Sequence, residues 1–358
     1  MTSIGRVLGN AYAAGVLLAV FLASTAHATE PFEKVETTVS LTAASFPRGV
    51  RNIGMGAAGV SNTGGFRSGY YNPACFAWQD MQEIGTSFNE WLGILTFTDT
   101  RVSAGRRWPM GDEGDGWMIG GSLGYSTMSF DGEERTIYIP EGSEVKRTDY
   151  YISAAVAGGF VRGMWEAGAG AAAKYLKADS PWGYSLWAFD LGAIVAADIL
   201  RYAGYTVRPR IGASLLHIGG DIEFENNSTA GQPETSRLGF GVDISTPPNG
   251  RMTESLGRAV PVLGLAVDYD LVDGIGSNDT DGWAFGLEVS VLEFLQVRYG
   301  RNEDVFTSRR YDTYGVGLGW DFGRVAAQLD YARIDPEVKY GPLREEDVYG
   351  ISVGARLF

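Results

Sequence analysis

The most constraining feature of this chain is a two-residue alternation that recurs from Glu83 to the C-terminus. In residues 313–322, one row holds Tyr, Val, Leu, Trp and Phe, and the other row holds Thr, three Gly and Asp. Successive side chains of a β-strand point to opposite faces of the sheet. The alternation therefore predicts strands with one bulky apolar face and one face of small residues. Similar rows occur in the segments 187–195, 237–244, 263–269 and 283–291.

The small-residue face decides between a soluble sandwich and a membrane barrel. A sandwich would bury the bulky face between two sheets and expose a polar face to water. Here the second face is mostly Gly, Ala and Ser with about one charge per strand, which suits a crowded barrel interior. We therefore expect the bulky rows to face lipid and the small rows to enclose a lumen. Trp117 and Tyr125 are then expected at the two membrane interfaces.

The alternation predicts a transmembrane antiparallel β-barrel of about 14 strands. Long polar connections alternate with short ones, as in known barrels, although 110–115 and 247–258 are longer than expected for the short side. The predicted strands are 83–98, 101–109, 116–130, 148–162, 165–177, 184–197, 205–217, 235–246, 259–270, 283–291, 293–301, 310–321, 324–333 and 345–358.

Three regions are predicted along the chain. Residues 1–28 read as a secretory signal, with a positive start, a short apolar stretch and a small-x-small cleavage site. Residues 29–80 form a lead-in and then an irregular, Gly-rich stretch that ends at an Asn-Pro-Ala turn. Because glycine permits close backbone approach, this stretch suits a plug (hatch) inside the barrel lumen. Residues 81–358 form the barrel.

Composition excludes several classes of function. The net charge of −14 argues against nucleic-acid binding, which needs basic patches. Cys75 is the only cysteine, so no intramolecular disulfide forms, and His217 is the only histidine after the signal. Ser214 and His217, three residues apart on a strand, are expected on opposite faces, so no catalytic triad is predicted. We predict no enzyme activity and no cofactor, and the acidic loops lack the full ligand series of a calcium site.

The glycine-rich stretch also carries a family resemblance. The segments 51–60 (RNIGMGAAGV) and 71–74 (YNPA) resemble the N-terminal plug signature of FadL-type outer-membrane barrels, and 87–92 (SFNEWL) is similar to the first strand of the PorV/PorQ branch. The resemblance implies a plugged 14-stranded barrel in the outer membrane of a Gram-negative-type bacterium. The chain departs from it at Cys75-Phe76, where Gly-Leu is usual, and it lacks the large helical loops of fatty-acid transporters.

Three sets of candidate site residues follow. The plug motif comprises Arg51, Gly54, Met55, Gly56, Tyr71, Asn72, Pro73 and Ala74. A ligand pocket between plug and wall is predicted from Phe46, Met55, Tyr70, Tyr71 and Phe76. Lumen charges, expected to pair with one another and with Arg48 or Arg51, are Asp190, Arg210, Arg237, Asp243, Asp268, Glu288, Arg298, Asp321 and Asp330.

Two functions are compatible with these features. The first is passive transport or binding of a hydrophobic or small molecule across the outer membrane. The second, implied by the PorV/PorQ resemblance, is a partner-binding barrel that serves a type IX-like protein secretion system. Exposed apolar residues in the outer loops 138–140 and 340–343 would mark the second function. Outer-membrane lipid surrounds the barrel in both cases, and the Asn-Pro-Ala turn either fastens the plug or gates a lateral opening.

Overall fold

A computed structural model of the 358-residue chain defines the fold. The residues that the structure describes are 48–64, 66, 68–91, 95–110, 115–133, 144–179, 183–223, 229–250, 260–275, 281–303, 310–321, 325–337 and 346–355. The signal, the lead-in up to residue 47 and Phe46 of the predicted pocket lie outside these ranges. Most of the acidic loops and the outer-loop residues 138–140 and 340–343 do so as well.

Fourteen antiparallel strands form a closed barrel. Each strand pairs with its neighbours in chain order, and β1 pairs with β14 to close the wall. Their bounds are β1 Gln82–Trp91, β2 Leu95–Pro109, β3 Gly116–Glu133, β4 Glu144–Arg162, β5 Trp165–Asp179, β6 Tyr184–Ala197, β7 Tyr205–Gly219, β8 Thr235–Ser245, β9 Leu263–Gly274, β10 Asp281–Val291, β11 Leu295–Glu303, β12 Arg310–Asp321, β13 Val325–Pro336 and β14 Glu346–Ala355.

Small strand pairs complete the described sheet structure. Leu200–Tyr202 pairs with the start of β7, and Ile222–Glu223 pairs with Thr229–Ala230. Within the described residues, no helix is both long and apolar enough to cross a bilayer.

The predicted orientation of the two faces is confirmed. In β6, Trp187, Phe189 and Leu191 are at least half exposed on the outer face, whereas Ala188 and Asp190 between them are buried. The same alternation holds in β12 and around the wall. A contiguous belt of exposed aromatic and aliphatic side chains is stable in hydrocarbon and not in water, so the barrel spans a membrane.

The predicted strand boundaries differ from the structure mainly at the first hairpin. The prediction continued the first strand through 98, whereas β1 ends at Trp91 and β2 begins at Leu95. Alternation continues across the connection, so it carries no signal of the turn. The prediction also began the ninth strand at 259, whereas β9 is Leu263–Gly274. Elsewhere the boundaries agree within a few residues, and those of β6 and β12 agree fully.

Residues 48–64, 66 and 68–79 lie against the inward-facing side chains of the wall, and we call them the inner segment. Val50–Gly54 forms a short α-helix that packs against β11 to β14. Pro73–Trp78 forms a 3-10 helix that packs against β2 to β6. The two short helices therefore contact opposite sides of the barrel wall. Met55, Val60, Asn72 and Phe76 have no exposed surface.

Candidate functional site

Several predicted plug-motif residues and lumen charges contact one another at the interface between the inner segment and the wall. Arg51 makes a two-pronged ion pair with Glu288 of β10, with both nitrogen–oxygen distances at 3.0 Å. Burial alone would lower the pKa of Arg51, but the nearby Glu288 carboxylate outweighs burial and raises it. This pair fixes the helix Val50–Gly54 to the wall by a planar, geometrically specific contact.

The Glu288 carboxylate also joins two wall strands to each other. Arg298 Nε of β11 donates to Glu288 at 2.6 Å, and Arg298 Nη1 donates to Asp330 of β13 at 2.7 Å. The Arg298 side chain has no exposed surface. The chain of contacts from Arg51 to Asp330 therefore holds the inner segment and three strands as one network.

Strands β8 and β9 provide a second polar network. Asp270 Oδ2 accepts hydrogen bonds from the backbone N–H groups of Gly59 and Val60, at 2.8 and 3.1 Å. Ser61 Oγ donates to Asp268 at 2.9 Å. Arg210 pairs with Asp268 at 3.3 Å and with Asp243 at 2.8 Å. Buried carboxylates thus bind backbone of the inner segment directly, and an arginine balances their charge.

The start of the described inner segment is held by Arg48. Its Nη1 atom donates to Ser126 Oγ at 2.5 Å and lies 3.5 Å from Asp99 Oδ1. Its backbone N–H donates to the Tyr71 hydroxyl at 3.2 Å. Arg48 therefore links both parts of the inner segment to strands β2 and β3.

Glycine permits the closest approach of the inner segment to the wall. Gly56 has φ = 67°, and a Cβ atom there would lie 2.5 Å from the Phe285 carbonyl oxygen. On the wall side, a Cβ at Gly212 would lie 2.2 Å from the Val60 carbonyl oxygen. No larger residue fits at either position without moving backbone. These contacts explain why small residues dominate both surfaces.

The Asn-Pro-Ala turn makes both a local and a long-range contact. Asn72 Oδ1 accepts from the Ala74 N–H at 3.0 Å and caps the 3-10 helix, with Pro73 at its first position. Asn72 Nδ2 donates to three carbonyl oxygens, those of Val60, Ala193 and Ala213, at 2.8 to 3.2 Å. The turn is therefore fastened to β6 and β7 in this structure.

An open groove lies in the wall next to the strands that hold the Asn-Pro-Ala turn. It has a volume of about 730 Å³ and crosses β6 to β10, with the exposed leucines Leu191, Leu215, Leu238 and Leu271 along it. Ala193 and Ala213, whose carbonyls bind Asn72, also line the groove. The anchor of the Asn-Pro-Ala turn and this groove thus share the same two strands.

The C-terminal part of the inner segment is held mainly by apolar packing. Ala74, Cys75, Phe76 and Ala77 are buried with side chains of β3, β4 and β6, including Ile194. Burial raises the pKa of the Cys75 thiol, which keeps it protonated and unreactive at neutral pH. Cys75 is therefore a small core residue in this structure.

The structure does not place the residues of the predicted ligand pocket around one space. Met55 lies over Gly286 and Gly300, Tyr70 and Tyr71 belong to a cluster with Tyr151, and Phe76 packs in a separate cluster. Of the four described members, Tyr70 lines the small cavity of about 60 Å³ beside β1 and β14. Sequence reasoning could not separate these positions, because all are large and apolar.

The expected placement of Ser214 and His217 on opposite faces is wrong. Both side chains are buried. His217 has φ = 61°, and the register between β6 and β7 shifts between Phe189 and Leu191. The His217 N–H donates to the Asp190 carboxylate, and Asp190 also pairs with Lys174. This bulge reverses the phase of the strand, which a two-residue count cannot detect.

The remaining predicted charges have different surroundings. The Arg237 guanidinium lies 5.2 Å from the ring centre of Tyr71. Asp321, at the end of β12, is half-buried.

Several buried polar residues were missed. Asp270 continues the inward row of Asp268 and could have been found by extending the alternation by two residues. The predicted first turn covered 99–100, which placed Asp99 in a loop and Arg101 at the start of a strand, so neither was assigned to the lumen. Lys174 lies in the inward row of β5, where its neighbours are mostly alanine and leucine. Within the described ranges, no group of three potential ligands could hold a metal ion.

Comparisons with known proteins agree with the barrel architecture. The toluene transporter TbuX of Ralstonia pickettii matches with a TM-score of 0.52 and 11% identity, over 86% of this chain and 98% of that one. The Pseudomonas putida toluene transporter TodX matches with a TM-score of 0.51 and 10% identity, over 87% and 98%. At these identities the likeness establishes the fold alone. No protein-family model and no curated protein matches the chain. The PorV/PorQ branch gains no support from these comparisons.

Proposed function

We propose that the protein is a FadL-type outer-membrane channel for passive movement of small hydrophobic molecules. The observation that carries the proposal is the inner segment, which contacts β2–β6 through one short helix and β11–β14 through the other and whose side chains are largely buried. A hydrophilic porin keeps a water-filled lumen, whereas a lumen occupied by a buried segment favours apolar solutes. The toluene transporters of similar fold support the same choice of substrate class.

Location and partners follow from the same proposal. The exposed apolar wall requires a bilayer, and outer membranes of Gram-negative-type bacteria are where such barrels reside. The proposed ligand is a small hydrophobic molecule, and the surrounding partner is outer-membrane lipid. The secretion-partner hypothesis is not carried forward, because no contact among the described residues favours it and neither do the two toluene transporters.

Uptake of toluene by whole cells tests the proposal. The chain is expressed in the outer membrane of a porin-deficient Gram-negative host that has no hydrocarbon channel of its own. We expect faster entry of labelled toluene than in vector-only cells, with unchanged entry of glycerol, a polar solute of similar mass. Heat-modified gel mobility of the outer-membrane fraction verifies that the barrel is folded. Equal toluene entry in both strains, or an equal rise for glycerol, contradicts the proposal.

A further inference from the structure

A small cavity lies between the inner segment and strands β1, β2, β13 and β14. Its volume is about 60 Å³, which is enough for a group of a few heavy atoms, since one buried water needs roughly 10–15 Å³. Five charged residues line it: three arginines, Arg48, Arg51 and Arg101, and two aspartates, Asp99 and Asp330. The cavity therefore has one more positive than negative residue in its lining.

Both aspartates of the cavity are already engaged. Asp99 binds Arg48 and also accepts a hydrogen bond from Ser126. Asp330 binds Arg298 at 2.7 Å. Arg51 in turn is held by Glu288, outside the cavity lining. Among the described residues, the positive charge of this cavity that is left without a counter-ion is that of Arg101.

Arg101 is the unusual residue of this cavity. It is only 6% exposed, yet its guanidinium makes no hydrogen bond or ion pair with any residue that the structure describes. Its guanidinium carbon lies 5.9 Å from the centre of the Phe76 ring, at the outer limit of a cation–π interaction. Arginine stays charged in proteins, and buried arginines are normally paired. Five N–H donors at this position point to an acceptor that the described residues do not supply.

Serine hydroxyls beside Arg101 are also without a partner. Ser153 Oγ and Ser103 Oγ are buried and make no hydrogen bond with described residues. A Cβ added at Gly124 would lie 2.6 Å from Ser153 Oγ and 3.4 Å from Arg101 Nε. Because Gly124 has no side chain, the Ser153 hydroxyl and the Arg101 guanidinium approach each other across it.

We propose that Arg101, assisted by Ser153, binds one carboxylate group. The two oxygens of a carboxylate match the planar fork of a guanidinium, and a single negative charge balances the one unpaired arginine. The carboxylate comes either from a small free acid or from the head of an amphiphilic acid. This inference concerns binding and stands independently of the proposed transport of hydrophobic molecules.

Calorimetric titration of the folded barrel in non-ionic micelles tests the site, with sodium acetate and sodium octanoate as the two probes. We expect saturable binding of one carboxylate per barrel. Arg101→Gln should weaken it roughly 10- to 100-fold, as expected for loss of a hydrogen-bonded charge. Arg106→Gln is the matched control, because Arg106 lies on the same strand and is exposed. Its affinity should equal that of the wild type.

The two probes also distinguish the source of the carboxylate. Similar affinities for acetate and octanoate support a free small acid, and much tighter octanoate binding supports an amphiphile head. Arg101→Lys should keep part of the affinity, and Ser153→Ala should lower it roughly 3- to 10-fold, which tests the site even if Arg101→Gln fails to fold. Absence of saturable binding to the folded wild type overturns the proposal. So does wild-type affinity in a folded Arg101→Gln barrel.

Discussion

The two halves of the inner segment are attached to the wall by different kinds of contact. Residues 48–64 are held by ion pairs and by carboxylates that bind backbone, mainly on β8 to β13. Residues 68–79 are held by apolar packing against β3 to β6, with Asn72 as the main polar anchor. Buried ion pairs fail abruptly when one partner is removed, whereas packing weakens in proportion to lost volume. We therefore expect the halves to be released independently by different substitutions.

Charge reversal at Arg51 should have the largest effect. Arg51→Glu removes the pair with Glu288 and brings two carboxylates together, which should destabilise the attachment by about 5 kcal/mol. We expect higher single-channel conductance in planar bilayers and faster hydrogen exchange in residues 48–64, with little change in 68–79. Arg106→Glu, on an exposed position, is the control for net charge. Unchanged conductance would show that the ion pair does not hold the segment.

Truncation of Phe76 should weaken the attachment of residues 68–79 to the wall. Phe76→Ala removes a side chain with no exposed surface, and such changes cost about 4 kcal/mol in a packed core. Hydrogen exchange should accelerate in residues 68–79 and stay slow in 48–64, the reverse of the Arg51→Glu result. Alkylation of Cys75 should also become faster, because the thiol gains access to water. Equal acceleration in both halves would mean that they open as one unit.

Substitution of Asn72 should have the smallest effect and separates its two contacts. Asn72→Ala loses the cap and the amide donor, at a cost of about 1–2 kcal/mol. Asn72→Ser restores a capping oxygen but cannot reach the carbonyls of Ala193 and Ala213. We expect the serine variant to recover less than half of the lost hydrogen-exchange protection in residues 68–79. Full recovery would indicate that the cap alone matters and that the contact with β6 and β7 is incidental.

The strand pattern was predictable because it is local. Leu318 and Trp320 differ in kind from Gly317 and Gly319, and this contrast repeats in every strand, so strand number and lipid-facing side follow from sequence alone. The contrast disappears where backbone departs from a regular strand. The turn after Trp91 leaves the alternation unbroken and so gives no signal, and the bulge at His217 shifts its phase without any change in composition. These two places account for the missed Asp99 and Arg101 and for the misassigned face of His217.

The chain by itself determined which residues face inward and that charges of both signs would meet there, since side-chain alternation depends only on neighbouring residues. Tertiary structure alone decided the partners. Arg51 and Glu288 are separated by 237 positions, and the choice between Glu288 and other inward carboxylates depends on how the closed barrel aligns its strands. The same alignment leaves Arg101 without a carboxylate partner among the described residues, because Arg48 and Arg298 bind the two that line its cavity.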